Sequence, residues 1–260
     1  MCGRYATTRA RQELLDQFAI QADETGGELE PDYNVAPTKQ VPAVLIRRPG
    51  GDDEHEEEAL RQLRTLRWGL VPFWAKDLSA GARMINARVE TVAEKPAYRR
   101  AFARRRCLLP ADGYFEWYTP EGDPAADEKG TKKKPRKQPF YIHPKDGAIM
   151  AMAGLYELWR SPEDEWVWTC TVITTDAPDD LGRIHDRMPM IVTPDRWDAW
   201  LDPELTAAEE VRGLLTPALA GTMDAYPVST AVNNVRNNGP QLIDPATNGD
   251  SPGSTSGTLF

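Results

Sequence analysis

Short apolar runs, each fenced by proline, glycine or charge, constrain this chain most, because they leave room for strands and little else. They lie at Val41–Arg47, Gln62–Trp68, Cys107–Tyr118, Phe140–His143, Ala148–Trp159, Trp166–Thr175 and Met188–Thr193. None nears the roughly 18 consecutive apolar residues of a membrane span, so no membrane partner is expected. The 107–118 run turns at Asp112-Gly113 and reads as strand, turn, strand. Helical periodicity is sparse. One helix is predicted over Thr8–Ala19, with Leu14, Leu15 and Phe18 on one face, and one from Pro96 to about Arg105. Thr193-Pro194 opens a third carrying Trp197, Trp200 and Leu201, and Thr206-x-x-Glu209 is a capping box for a fourth. Strands outnumber helices in an α+β order, with no repeat and no linker composition. The prediction is one domain over residues 1–245 with a loop at 21–32 and surface insertions at about 49–59 and 119–138. The Gly/Ser/Thr/Pro-rich stretch 246–260 is expected to be a disordered tail.

Charge bears on the partner. Thirty-one basic against forty acidic residues give a net charge of −9, which by itself argues against nucleic acid. The distribution weakens that objection. Six carboxylates crowd into Asp52–Glu58, while basic residues gather at Arg99–Arg106 and Lys129–Lys137. An acidic chain with few lysines elsewhere also fits a salt-adapted cytoplasm. The start of the chain lacks the apolar stretch of a secretory signal, so a cytoplasmic location is expected.

The cysteines are Cys2, Cys107 and Cys170, an odd count without a C-x-x-C pair, so neither a disulfide framework nor a zinc site is expected. Cys107 and Cys170 sit in strand-like runs and read as small buried apolar residues. Cys2 differs. Loss of Met1, normal before a small residue, would leave a 1,2-aminothiol that closes a five-membered thiazolidine ring with an aldehyde. Both nucleophiles have reference pKa values near neutrality, about 7.7–8.0 for the amine and about 8.5 for the thiol. Position alone favours an accidental cysteine on a frayed end, although Gly3-Arg4-Tyr5 supplies close approach, a cation and an aromatic.

Other residues carry two readings each. His185, between Ile184 and Asp186-Arg187, suits proton transfer near neutral pH or a hydrogen bond within a turn. His55 reads as a solvated group in the acidic run, and His143 as a turn residue. Glu116, set among Tyr114, Phe115, Trp117 and Tyr118, is either a desolvated acid/base or the wet face of a half-buried strand. Asn86 and Arg88 share one face if extended and suit a polar substrate and a phosphate. Trp68, Phe73 and Trp74 suit stacking on unpaired bases; for Trp68 the core is the preferred place.

Seven segments taken in order resemble the SOS-response-associated peptidase (SRAP) family: MCGRY at 1–5, YNVAP at 33–37, WGLVP at 68–72, INARVET at 85–91, CLLPADGYFEW at 107–117, IHDRMP at 184–189 and YPVS at 226–229, the last followed by an Asn-rich turn. The resemblance implies a single compact α+β domain with a strand-built, barrel-like core flanked by helices. It implies a protein that senses abasic sites in single-stranded DNA and crosslinks to them through Cys2 as a thiazolidine, with strand cleavage as a side activity. Asn86 would position the sugar, Glu116 would shuttle protons, and His185 would protonate the sugar oxygen and support reversal. Arg4, Asn34 and Arg88 would hold phosphates, while Pro37, Phe73 and Trp74 shape the strand channel. Where some relatives place a basic DNA contact this chain has Pro96, with Lys95 and Arg99 alongside. A monomer without cofactor or metal is expected, bound to the nucleoid when on DNA. Two rival readings are a thiol peptidase with a Cys2–His185 dyad and a non-covalent reader of damaged DNA.

Overall fold

A computed structural model describes residues 2–48, 58–120, 137–177, 181–217 and 221–246. The chain opens with β1 (Tyr5–Thr7), α1 (Arg11–Gln17), β2 (Ala22–Glu24) and β3 (Asp32–Val35). The long strands β4 (Gln40–Arg47) and β5 (Leu60–Trp68) precede β6 (Asn86–Arg88), α2 (Arg99–Arg104), β7 (Arg106–Ala111) and β8 (Gly113–Tyr118). Next come β9 (Gln138–Pro144), β10 (Met150–Arg160), β11 (Trp166–Asp176), α3 (Leu181–Ile184) and β12 (Arg187–Pro189). The last elements are α4 (Trp197–Leu201), α5 (Ala208–Gly213) and β13 (Met223–Pro227).

Five strands close on themselves. β5 pairs with β4, β4 with β7, β7 with β10, β10 with β11, and β11 returns to β5. An odd ring cannot alternate direction all the way round, so one contact must be parallel. Here it is β5–β11, through Arg67 opposite Thr169 and Trp68 opposite Cys170. Alternation along these strands feeds two cores at once. Leu45, Leu66, Cys107, Met152 and Val172 fill the barrel, while Val44, Leu63, Leu108, Ala153 and Ile173 pack outward against Phe102, Trp197 and Trp200. Burial on both faces is why the runs read as nearly continuous apolar stretches. The barrel is tight, since a Cβ on Gly154 would lie 2.8 Å from the Cys107 sulfur.

A second sheet, in the order β13-β9-β8-β1-β3, leans on one end of the barrel. The fold is therefore α+β with a barrel core, as expected. The strand-turn-strand at 107–118 is present, but β7 belongs to the barrel and β8 to the second sheet. Asp112 is the corner. Its carboxylate accepts from the Thr8 backbone N–H at 2.6 Å, the Thr8 hydroxyl at 2.8 Å and Arg9 Nε at 2.7 Å.

Several expectations need correction. Thr8 is committed to that corner and Ala19 turns left-handed at φ 48°, so the first helix is only Arg11–Gln17. The loop at 21–32 contains β2, which pairs parallel with β5. Turns occupy the residues after Pro96, and α2 starts at Arg99. Thr193-Pro194 opens a 3-10 turn before α4. The Thr206–Glu209 capping box does not form: Ala207 is the N-cap of α5, without a side-chain hydrogen bond. Most of the two insertions, His55 with nearly all of the acidic run, and the tail beyond Ala246 lie outside the described residues. No helix among the described residues is long and apolar enough to cross a membrane.

Candidate active site

Four residues from distant parts of the chain meet where the second sheet covers the barrel. Cys2 is fully buried just ahead of β1, in the cluster that contains Tyr5, Trp68 and Tyr114. β1 runs antiparallel to β8, with Tyr5 opposite Tyr114 and the Phe115 N–H donating to Arg4 O at 2.9 Å. Continuing that register lays Glu116 beside the residues that precede Arg4. Asn86 enters from β6, which pairs with β11 opposite Val172, and its Nδ2 donates to Cys2 O at 2.8 Å. His185 follows α3, with Nε2 3.9 Å from Glu116 Oε2.

Burial sets the electrostatics. Glu116 is 3% exposed, not on a wet face, and desolvation pushes its pKa up to about 7. β8 departs from simple alternation because it is covered on both sides, with Gly113 to Glu116 all buried. The Cys2 thiol is raised far above its ordinary value, chiefly by burial and further by the charge of Glu116, so it stays protonated at neutral pH. His185 is lowered, first by desolvation. Its Nδ1 accepts from the Arg187 backbone N–H at 3.0 Å and lies 2.8 Å from Asp186 Oδ1. These contacts demand opposite tautomers. The backbone donor is fixed, whereas the Asp186 carboxylate is solvated, so the neutral ring carries its proton on Nε2, facing Glu116. Among the described residues the buried Asn86 Oδ1 and Tyr5 hydroxyl have no hydrogen-bond partner.

Arg187 anchors the histidine segment. Its guanidinium is bidentate to Glu90 at 2.8 and 3.1 Å and reaches Asp176 Oδ1 at 2.5 Å, which ties β12 to the end of β6 and to β11. On sequence alone Arg187 figured only as a flank of His185 and Glu90 had no role, although each sits two residues from a candidate.

The other candidates surround this cluster. Arg88 is exposed on β6, on the same side as Asn86. Arg4 is half-buried, with Nη1 donating to Asn34 Oδ1 at 2.7 Å and to Val232 O at 2.9 Å, and its guanidinium lies over the Trp117 ring. Asn34 is fully enclosed and spends its Nδ2 on three carbonyls, those of Val232, Asn234 and Asn237. It braces Arg4 from beneath. Pro37 is half-buried, while Phe73 and Trp74 are 50% and 59% exposed. Arg100, four residues after Pro96, rests over the exposed Phe73 ring at 4.4 Å. Trp68 is fully buried, as are Cys107 and Cys170, and all three cysteines are free. His143 closes β9 with its ring stacked on Tyr141. Among the described residues no group of three His, Cys, Asp or Glu could hold a metal.

Comparison with known proteins gives a consistent result. The profile of the family described as SOS response associated peptidase (SRAP) matches residues 1–235. The abasic site processing protein YoaM of Bacillus subtilis is 40% identical over 244 residues, covering 94% of this chain and 98% of that one. The abasic site processing protein HMCES of Gallus gallus is 31% identical, over 94% of this chain and 78% of its own. A crystal structure of a protein from Bacteroides thetaiotaomicron superposes with a TM-score of 0.74 at 25% identity, covering 95% of this chain and all of that one.

Proposed function

This chain belongs to the SOS response associated peptidase family, and from that premise we propose that it processes abasic sites in single-stranded DNA by crosslinking to them through Cys2. The convergence of Cys2, Asn86, Glu116 and His185 on one buried point carries the reading. The relatives named abasic site processing proteins support the same lesion.

The chemistry follows from the environment of each group. An abasic sugar is a closed hemiacetal, so opening it requires a base at its 1′-hydroxyl and an acid at its ring oxygen. Glu116, near half-ionised at neutral pH, is the base, and His185 is the acid across the 3.9 Å gap. A histidine held below its ordinary pKa is the stronger acid once protonated. Removal of Met1 frees the Cys2 amine, which attacks the aldehyde carbon. The carbinolamine loses water with protonated Glu116 as acid, giving an imine. The buried thiol is neutral, so it waits for this activated carbon. Its sulfur then bonds to the same carbon while its proton passes, through Glu116, to nitrogen. One water leaves and the ring is closed. Asn86 fixes the Cys2 carbonyl and offers its unpaired Oδ1 to the amine or a sugar hydroxyl. Arg4 and Arg88 hold phosphates, with Asn34 acting through Arg4, while Pro37, Phe73 and Trp74 line the strand's path.

Incubation with abasic single-stranded DNA followed by a denaturing gel tests the proposal. A shifted band that survives denaturation is expected. Binding lost on denaturation would favour a non-covalent reader, and cleavage of added peptides a thiol peptidase.

A further inference from the structure

The Asn-rich turn after β13 is absorbed by none of this chemistry, yet it touches the site twice. Arg4 Nη1 donates to Val232 O at 2.9 Å, and Trp117 Nε1, from the residue beside Glu116, donates to Asn233 Oδ1 at 2.6 Å. The turn is braced by its own asparagines. Asn237 Nδ2 donates to Ala231 O at 2.8 Å, Asn234 Oδ1 accepts from the Arg236 N–H at 3.1 Å, and Asn238 bonds both Pro31 O and the Tyr33 N–H. Asn34 holds three of its carbonyls from inside. The turn's four asparagine side chains, from Asn233, Asn234, Asn237 and Asn238, are thus spent on the frame, and Val235 and Arg236 between them are exposed.

These two side chains stand side by side at the surface with different chemistry. Val235 is 48% exposed, one of four large exposed hydrophobic residues among those described, in company with Phe73 and Trp74. Arg236 is exposed and has no ion-pair partner among the described residues, in a chain whose net charge is −9. A fixed backbone holding one free cation and one branched apolar side chain matches the alternation of phosphate and sugar along a strand. The backbone of this tip is already held by hydrogen bonds, so binding has only the side chains to order.

We infer that the Val235–Arg236 tip is a second strand-gripping element, continuous with Arg4, that holds a nucleotide flanking the lesion. Arg236 pairs with a backbone phosphate and Val235 packs on the adjoining sugar or base. The inference rests on the abasic-site reading of the neighbouring site, and it concerns binding alone.

The test measures affinity for undamaged single-stranded DNA over a salt series, then crosslinking at saturating abasic DNA. Arg236→Ala should weaken binding by about 3–10-fold and lower the slope of log affinity against log salt by about 0.7, the value for one phosphate contact on a single strand. Arg236→Glu should weaken it further, and Val235→Asp should weaken it at every salt concentration. Crosslinking at saturation should stay within about twofold of wild type, and Tm should not move because both side chains are exposed. Unchanged affinity and slope in Arg236→Ala overturns the inference, and so does a crosslinking loss that saturating DNA cannot restore. Failure of the wild type to crosslink would instead reject the reading of the site, because the affinity arm does not depend on it.

Discussion

Arg106 and Glu116 are buried to nearly the same extent, 2% and 3% exposed, yet one is finished and the other is not. Arg106 donates to five backbone carbonyls: Trp200 at 2.6 Å, Phe102 at 2.8 Å, Ala103 at 2.7 Å, Leu205 at 3.0 Å, and Asp202. Burial lowers its pKa to about 10, so it remains charged at any physiological pH. It closes the C-terminal ends of α2 and α4 and nothing remains for a ligand to use. Around Glu116 the acid is poised at about 7, the neighbouring thiol is held neutral, and Asn86 Oδ1 lacks a partner among the described residues. A buried polar group that is fully paired is architecture, and a cluster left partly unpaired is where chemistry is kept.

That contrast can be broken by substitution. The largest stability effect belongs to Arg106→Met, which strands five carbonyls and should cost about 3–5 kcal/mol. It should be read as a fall in Tm, with the crosslinking rate per folded molecule unchanged. Selective loss of rate in this variant would erase the distinction. Glu116→Gln should do the reverse. Its folded pKa of about 7 exceeds the ordinary 4.5, so the folded chain keeps a proton that the unfolded chain releases. The penalty is absent below about pH 4.5, grows toward pH 7 and then levels at about 3 kcal/mol. Glutamine removes it, so stability above pH 7 should rise by about 1–3 kcal/mol while crosslinking slows by about 10²-fold. Denaturant melts at pH 5 and pH 8 check the first point and single-turnover kinetics the second. Equal stabilisation at both pH values would mean Glu116 is not the strained group.

His185→Ala should slow crosslinking by about 10-fold or more and slow reversal too, with little change in affinity for DNA. Release measured after trapping the adduct would expose a purely structural role if only the forward rate fell. Tyr5→Phe is the smallest change, deleting a buried hydroxyl that has no partner among the described residues. It should stabilise by about 1 kcal/mol and leave the rate within about twofold.

The long strands were legible because both of their faces are buried, and apolar runs such as Val41–Arg47 and Trp166–Thr175 fall within a residue or so of β4 and β11. The short strands were not. β1, β2 and β13 owe their form to partners far along the chain, and only tertiary pairing marks them. The Thr206 cap failed for a similar reason: propensity at a helix start yields to where the chain must enter. The four site residues were visible one by one, but pattern alone left Glu116 on a wet strand face. Its burial comes from β8 lying between two layers, which alternation along a single strand does not encode. Asn34, which the family resemblance implies as a phosphate contact, is fully buried, and its side chain joins Arg4 to the Asn-rich turn.

The central claim is that the Cys2 amine and thiol together close the ring, and intact-mass spectrometry after reaction with abasic single-stranded DNA tests it most directly. Wild type should gain the mass of the DNA less one water, on a chain lacking Met1, and the adduct should survive heat. Cys2→Ala, which keeps the amine, should form only a transient imine. A chain with extra residues before Cys2, which keeps the thiol but buries the amine in a peptide bond, should form no stable ring. Joint substitution of Cys107 and Cys170, both buried in the barrel, should leave the adduct intact. A heat-stable adduct on Cys2→Ala, or one mapped to Cys107 or Cys170, would contradict the account.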